Sequence, residues 1–480
     1  MHHSRLAVFL LCLTAFSPLA VSAADEPIRD DDYLVPAIVQ GSGQNLARYT
    51  SDVAIANPGT EELTLEFYLN GPTFQIKVPP RSSRRVNSAE VLALAGLPDG
   101  TYPTRVRVVS PANAVVPMTL FVQNTLPTGG TYGLSFPVER LSDSTLEEGD
   151  TGMLFSGSVD DSERLNISLY APFGPASATV EVYDAFGLWL FANNVQLGSR
   201  ERVQLTDFLK GQPIGCRVFI KPVDGRVFAY GTSVSNSATN DPYRAPVLRT
   251  AWVTDKWTIP AVAAAGGRAG AYFTSDIYLA TLPTTHDYEP PITLTFRPRD
   301  GSDPVVANTQ MLVGSTRIMF DVVTEFFPRL VPTAGVLEIT SPWKFLAFSV
   351  TRSSPATGPS SQDQPGIRPG DELTGPSVLP GLAENESYRS NMLVSNTGTD
   401  TNLKLTLLTP AGALGPVDVP LTSGEIRQFD SVIRLFTEDP LESASLLVEP
   451  GAGAKLTISS ARIDNATNDP AGIQAMKMAR

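Results

Sequence analysis

Tyr49-Thr50-Ser51-Asp52-Val53-Ala54-Ile55-Ala56-Asn57-Pro58-Gly59 runs through an apolar centre into an Asn-Pro-Gly turn, and copies of it return three times along the chain. The later copies are Arg164-Leu165-Asn166-Ile167-Ser168-Leu169, Phe273-Thr274-Ser275-Asp276-Ile277-Tyr278-Leu279 and Tyr388-Arg389-Ser390-Asn391-Met392-Leu393-Val394-Ser395-Asn396. Asp52, Asn166, Asp276 and Asn391 are the anchors, at intervals of 114, 110 and 115 residues. A period of that length is a whole domain laid down four times, not a solenoid unit. Because Asp alternates with Asn at the anchor, the position does not require a charge. It reads as the structural entry to a core strand.

The sequence around each marker repeats as well. Leu63-Thr64-Leu65-Glu66-Phe67-Tyr68, Ala178-Thr179-Val180-Glu181-Val182-Tyr183, Ile292-Thr293-Leu294-Thr295-Phe296 and Leu403-Lys404-Leu405-Thr406-Leu407 alternate with period two, the pattern of strands with one buried face. Tyr33-Leu34-Val35-Pro36-Ala37, Trp257-Thr258-Ile259-Pro260-Ala261 and Ser377-Val378-Leu379-Pro380-Gly381 read as opening edge strands, where proline's missing N–H does no harm. A short helical turn is predicted over 88–94, 206–210, 322–327 and 430–436, with Ser88, Thr206 and Asp430 as N-caps. Each unit then closes on two apolar strands.

Short strands in this number, punctuated by turns, predict an all-β chain of four tandem Greek-key β-sandwich domains after a cleaved signal peptide. The expected layout is a signal over 1–23, an acidic leader over 24–32 and sandwiches over 33–145, 146–250 and 251–352. A Pro/Gly/Ser/Gln-rich flexible linker over 353–375, a fourth sandwich over 376–470 and a tail over 471–480 complete it.

Met1 to Arg5 is short and basic, Leu6 to Val21 is apolar, and Val21-Ser22-Ala23 offers small residues for cleavage, the pattern of a secretory signal. Localisation is therefore expected outside the cytoplasm, secreted or in the periplasm or at the cell surface. The chain carries a formal charge of −13, one unit more negative once Arg5 leaves, which disfavours nucleic acid and anionic membranes as partners. No later stretch is apolar for long enough to span a bilayer as a helix. Removal of Cys12 with the signal leaves Cys216, so no disulfide forms within the chain. Cys216 opens an apolar strand and reads as a packing residue.

The Val-Pro-Ala opening, the Tyr-Thr-Ser-Asp-Val marker with its Asn-Pro-Gly turn, and a closing Ala-Thr-Asn-Asp-Pro resemble the tandem immunoglobulin-like modules of secreted bacterial proteins of unknown function. The closing signature stands at 238–242 and 466–470 and is missing from the first and third units. The resemblance implies architecture and no activity.

Chemistry is scarce. His286 is the single histidine outside the signal and has no Gly-x-Ser-x-Gly or similar nucleophile motif beside it, so a non-enzymatic protein is expected. No cofactor is expected. Asp52, Asn166, Asp276, Asn391 and the two Asn-Asp-Pro endings invite a calcium reading, but scattered oxygens are outweighed by the simpler role of short polar side chains that bond nearby backbone. Trp343 and Lys344, placed by alignment at the tip of a closing hairpin, are the candidate partner contacts. Trp252 and Trp257 flank the joint between the second and third units and are candidates for packing between domains, and Trp189 is expected to pack within its strand. The function predicted is a structural or adhesive scaffold meeting a protein or glycan at the cell surface. The alternative is a soluble carbohydrate- or peptide-binding array.

Overall fold

The computed structural model describes residues 29–43, 46–69, 71, 73–127, 130–155, 162–237, 239–284, 288–354 and 360–478. The signal region, His286 and most of the acidic leader lie outside them. The described chain is nearly all β and antiparallel, in four successive blocks. In the fourth block one sheet runs Gly412–Leu421, Thr401–Thr409, Leu441–Glu449, Ser377–Glu384, Met476–Lys477, and the facing sheet runs Ile426–Phe429, Tyr388–Asn396, Leu456–Asp464, Pro470–Ile473. The other three blocks repeat that core order. In the first and third the two sheets merge, because the opening strand pairs at its end with the marker strand, as in Gln40 opposite Thr50 and Ala264 opposite Thr274.

Period-two alternation does what it predicts: in Leu63–Tyr68 and Ala176–Tyr183 every second side chain is buried. The opening strands are not edges. Tyr33–Ser42 lies between Gly100–Ser110 and, along its length, Glu139–Arg140 and Arg48–Asn57. Pro36, Pro260 and Pro380 each sit at a register break, where the ladder makes no demand for their N–H.

The helical turns shift slightly. Ser88–Ala95 is a helix capped by Asn87, whose Oδ1 accepts the Glu90 N–H, while the Ser88 hydroxyl accepts the Ser51 N–H. Val322–Phe326 is capped by Asp321 and Val432–Leu435 is a 3₁₀ turn that follows Ser431, whereas residues 206–211 form turns only.

Three segments read as leader, linker and tail belong to the folded body. Asp32 is buried and accepts from Arg107 Nε at 2.9 Å and Arg105 Nη1 at 3.3 Å. Residues 353–375 contain the strand Ser360–Pro365, paired with the end of Thr333–Ser353, and all but its last residue are buried. The stretch 471–480 includes most of the strand Pro470–Ile473 and the strand Met476–Lys477. Asp32 is held within its own block, whereas Ser361 and Asp363 meet a neighbouring block and Ala471 and Ile473 pack into the core of the fourth.

The strand that flanks the marker sheet late in each block explains the last two cases. Thr131–Pro137 contacts Pro242–Ala245, which contacts Ser360–Pro365, which contacts Pro470–Ile473, which returns to Thr131–Pro137. The four blocks close into a ring around these strands. Among the described residues, apolar contacts seal three of the four joints: Phe136 meets Tyr230 edge-on between blocks one and two, and Phe155 stacks on Phe348 between two and three. Between four and one, Ala54 and Phe121 join the core of the fourth block, and Ala56, Val378, Leu408 and Leu447 form a smaller cluster.

Candidate functional site

Strand registers define equivalent positions around the ring. Asp52, Asn166, Asp276 and Asn391 stand opposite Phe121, Thr232, Val350 and Ala461. Two residues on, Gln123, Val234, Arg352 and Ile463 stand opposite Gly133, Pro242, Ser361 and Pro470 of the closing strands. The residues just before these, Tyr132, Asp241, Ser360 and Asp469, therefore occupy one position in four copies, and all are buried.

The Asn-Asp-Pro signature of blocks two and four builds this centre. Asn240 and Asn468 adopt positive φ, which Asn tolerates better than most residues, and turn their side chains back on the marker strand. Asn468 Oδ1 accepts from Arg389 Nη2 at 2.9 Å, and Asn240 Oδ1 from Arg164 Nη2 at 3.4 Å. The aspartate that follows reaches across the joint: Asp469 Oδ2 accepts the Gly133 N–H at 2.6 Å, and Asp241 Oδ2 the Ser361 N–H at 2.7 Å. Blocks one and three answer with main-chain donors. This is why they lack the signature: the ring repeats in pairs of blocks.

Burial pushes both carboxyls well above the ordinary carboxylate range, and the facing Asp469 adds to the effect at Asp241. A second bridge also obeys the pairing. Ser135 donates to the Gly472 carbonyl between blocks one and four, and at the equivalent positions between three and two Asp363 accepts from Arg244 Nε at 3.0 Å and Nη2 at 2.7 Å.

Equivalent clefts open at the joints between blocks one and two and between three and four, of about 620 and 320 Å³. Tyr49 and Arg164 line the first, Phe273 and Arg389 the second, each beside the anchor Asn166 or Asn391. Arg268 and Arg299 give the smaller cleft further positive charge.

Three of the anchors bond through their side chains, whereas Asn391 Oδ1 is buried without a hydrogen bond among the described residues. Asp52 pairs with Arg85 at 2.5 Å, Asn166 Oδ1 accepts the Asp207 N–H, and Asp276 accepts the Asp321 N–H and Arg352 Nε. Trp257 is buried with Nε1 donating to the Phe345 carbonyl at 2.8 Å, in a core that spans blocks two and three. Trp252 is half-buried against that core, with Arg368 over its ring at 5.0 Å.

Trp343 is not displayed at a tip. It is half-buried within the long strand Thr333–Ser353, where the chain passes from one partner strand to another, beside the exposed Lys344. Trp189, expected to pack, is 59% exposed, next to Phe186 at 73% and Leu188 at 66%. They ride the turn between Ala176–Tyr183 and Trp189–Leu197, whose base is fixed: Asp184 Oδ1 accepts the Phe186 and Leu188 N–H groups, and the Ala185 carbonyl accepts the Thr316 N–H of block three. The signal was the run Phe186-Gly187-Leu188-Trp189, too apolar for an ordinary hairpin turn.

No protein-family model matches this chain, and no curated protein matches it. Among solved structures, the comparison finds a chain described as "Ca2+-stabilized adhesin helps an Antarctic bacterium reach out and bind ice", 9% identical over 90% of this chain and 93% of that one. The TM-score is 0.09, so the two share no demonstrated fold.

Proposed function

We propose that this chain is an exported, non-enzymatic structural or adhesive protein whose four blocks are immunoglobulin-like Greek-key sandwiches, closed into a ring that presents outward loops to a protein or glycan at the cell surface. The observation that carries the reading is the apolar tip at Phe186, Leu188 and Trp189. Large exposed apolar side chains on a turn anchored by Asp184 and block three form a rigid contact point, and pre-ordered aromatics of this kind concentrate binding energy. The ring supplies the rigidity, since apolar contacts hold the joints between blocks one and two, two and three, and four and one.

The test compares the mature chain with a Phe186→Ser/Leu188→Ser/Trp189→Ser variant on glycan and peptide arrays and on the producing cells, beside fractionation of those cells. The reading expects cell-associated protein and loss of binding in the variant at an unchanged Tm. Soluble protein that binds no surface, or a variant that binds like wild type, overturns it. A defined soluble ligand that occupies the arginine-lined cleft of blocks three and four would instead support the soluble binding array.

A further inference from the structure

The centre of the ring presents an electrostatic problem. Asp241 is 2% exposed and Asp469 4%, and neither forms an ion pair among the described residues. Their Oδ2 atoms are occupied by the N–H groups of Ser361 and Gly133, but both Oδ1 atoms are buried without a hydrogen bond. The surrounding charges are engaged elsewhere. Arg352 pairs with Asp276 and Glu163, and Asp464 accepts from the Thr467 hydroxyl and from the Ala466 and Thr467 N–H groups. Two buried carboxylates that face one another cannot both stay ionised without a compensating charge.

We propose that the ring axis binds a hard divalent cation, held by the carboxylates of Asp241 and Asp469 with the hydroxyl of Ser360. The neutral oxygens favour a cation over a proton. The Ser360 hydroxyl is fully buried beside Asp469 and makes no hydrogen bond of normal geometry. Asn124 Oδ1 and Ser353 Oγ, on the residues paired with Tyr132 and Ser360, are likewise buried and unbonded. A proton shared by the two carboxyls leaves Asn124 Oδ1 and Ser353 Oγ idle, whereas a cation collects such acceptors. Among the described residues no three His, Cys, Asp or Glu side chains converge, so two carboxylates and neutral oxygens make up the set. Calcium is the ion that best tolerates an irregular all-oxygen shell. All four blocks meet here, so the bound ion locks the ring.

The experiment strips the full mature chain with chelator, then titrates calcium, with magnesium and sodium in parallel, at pH 7.5, following Tm and heat of binding. Expected is a saturable rise in Tm with one calcium bound per chain. The Asp241→Asn/Asp469→Asn variant should be stable without calcium and show neither heat nor shift. Should that variant not fold, Ser360→Ala is expected to weaken calcium binding at least tenfold with the Tm of the stripped protein unchanged. No shift in wild type with any cation overturns the proposal, and a rise on acidification alone would then identify a shared proton. A shift retained in the variant overturns it as well, because the ion would be bound elsewhere.

Discussion

Asp241 in the second block accepts the backbone N–H of Ser361 in the third at 2.7 Å, a bond between residues 120 positions apart that ties two blocks at the centre of the ring. Burial raises this carboxyl, and that of Asp469, above the value of about 3.9 for an unfolded aspartate. The folded state therefore holds these protons more tightly than the unfolded one, and stability falls as pH rises from about 4 through the raised pKa values. With chelator present, wild type should lose Tm relative to Asp241→Asn/Asp469→Asn between pH 4 and the point where both carboxyls ionise. Parallel curves for the two proteins would show that the pair does not titrate in the folded state.

Arg244 and Asp363 form a buried pair across the same joint, where the guanidinium offsets part of the burial that raises the Asp363 carboxyl. Removing one partner strands the other charge, so Arg244→Ala or Asp363→Ala should each cost about 3–5 kcal/mol in urea unfolding. Arg244→Met/Asp363→Leu should recover most of that loss. If the single variants unfold like wild type, the pair is not buried in solution.

Gly381 takes φ of 91°, and a Cβ there would lie 2.3 Å from Phe121 Cε2 in the first block. Gly381→Ala should cost about 1–2 kcal/mol for the backbone alone and also push blocks four and one apart. X-ray scattering should show a larger radius of gyration than wild type. An unchanged radius would mean that this joint does not close the ring.

The tryptophans separate by environment. Iodide should quench Trp189 readily and leave Trp257 almost untouched, so Trp189→Phe removes most of the quenchable emission. Trp257→Ala should cost about 3–5 kcal/mol, since it empties a core site and strands the Phe345 carbonyl.

Cys216 is fully buried, and its Sγ–H donates to the Pro213 carbonyl at 2.9 Å. Burial, with a smaller contribution from Asp184, pushes the thiol up to about 11. Native protein should resist thiol reagents at pH 8 and react in denaturant. Equal rates in the two states would place the thiol at the surface.

Much of the β architecture was legible in the residues. Alternation in Leu63–Tyr68 reports one buried face because the pleat itself has period two, and the four markers report a repeated unit. The site was legible only as fragments. Asn240-Asp241 and Asn468-Asp469 stood out as a signature, but 228 positions separate the aspartates and nothing local places them together. The apolar tip at Phe186 to Trp189 was hidden by the strand pattern around it, since alternation cannot tell an inward face from an outward one at a hairpin end.

The sequence by itself determined the repeat, the strand periodicity and the scarcity of catalytic side chains, all of which follow from local pattern and composition. The tertiary structure decided that the repeats close on themselves, and with that the fate of Ser360–Pro365 and Pro470–Ile473. The first reads as linker because its side chains are polar, and most of the second falls in the expected tail. They are buried because Ser361 and Asp363 meet Asp241 and Arg244 of another block and Ala471 and Ile473 enter a shared apolar core, an arrangement that depends on orientation between blocks and has no signature in the order of residues.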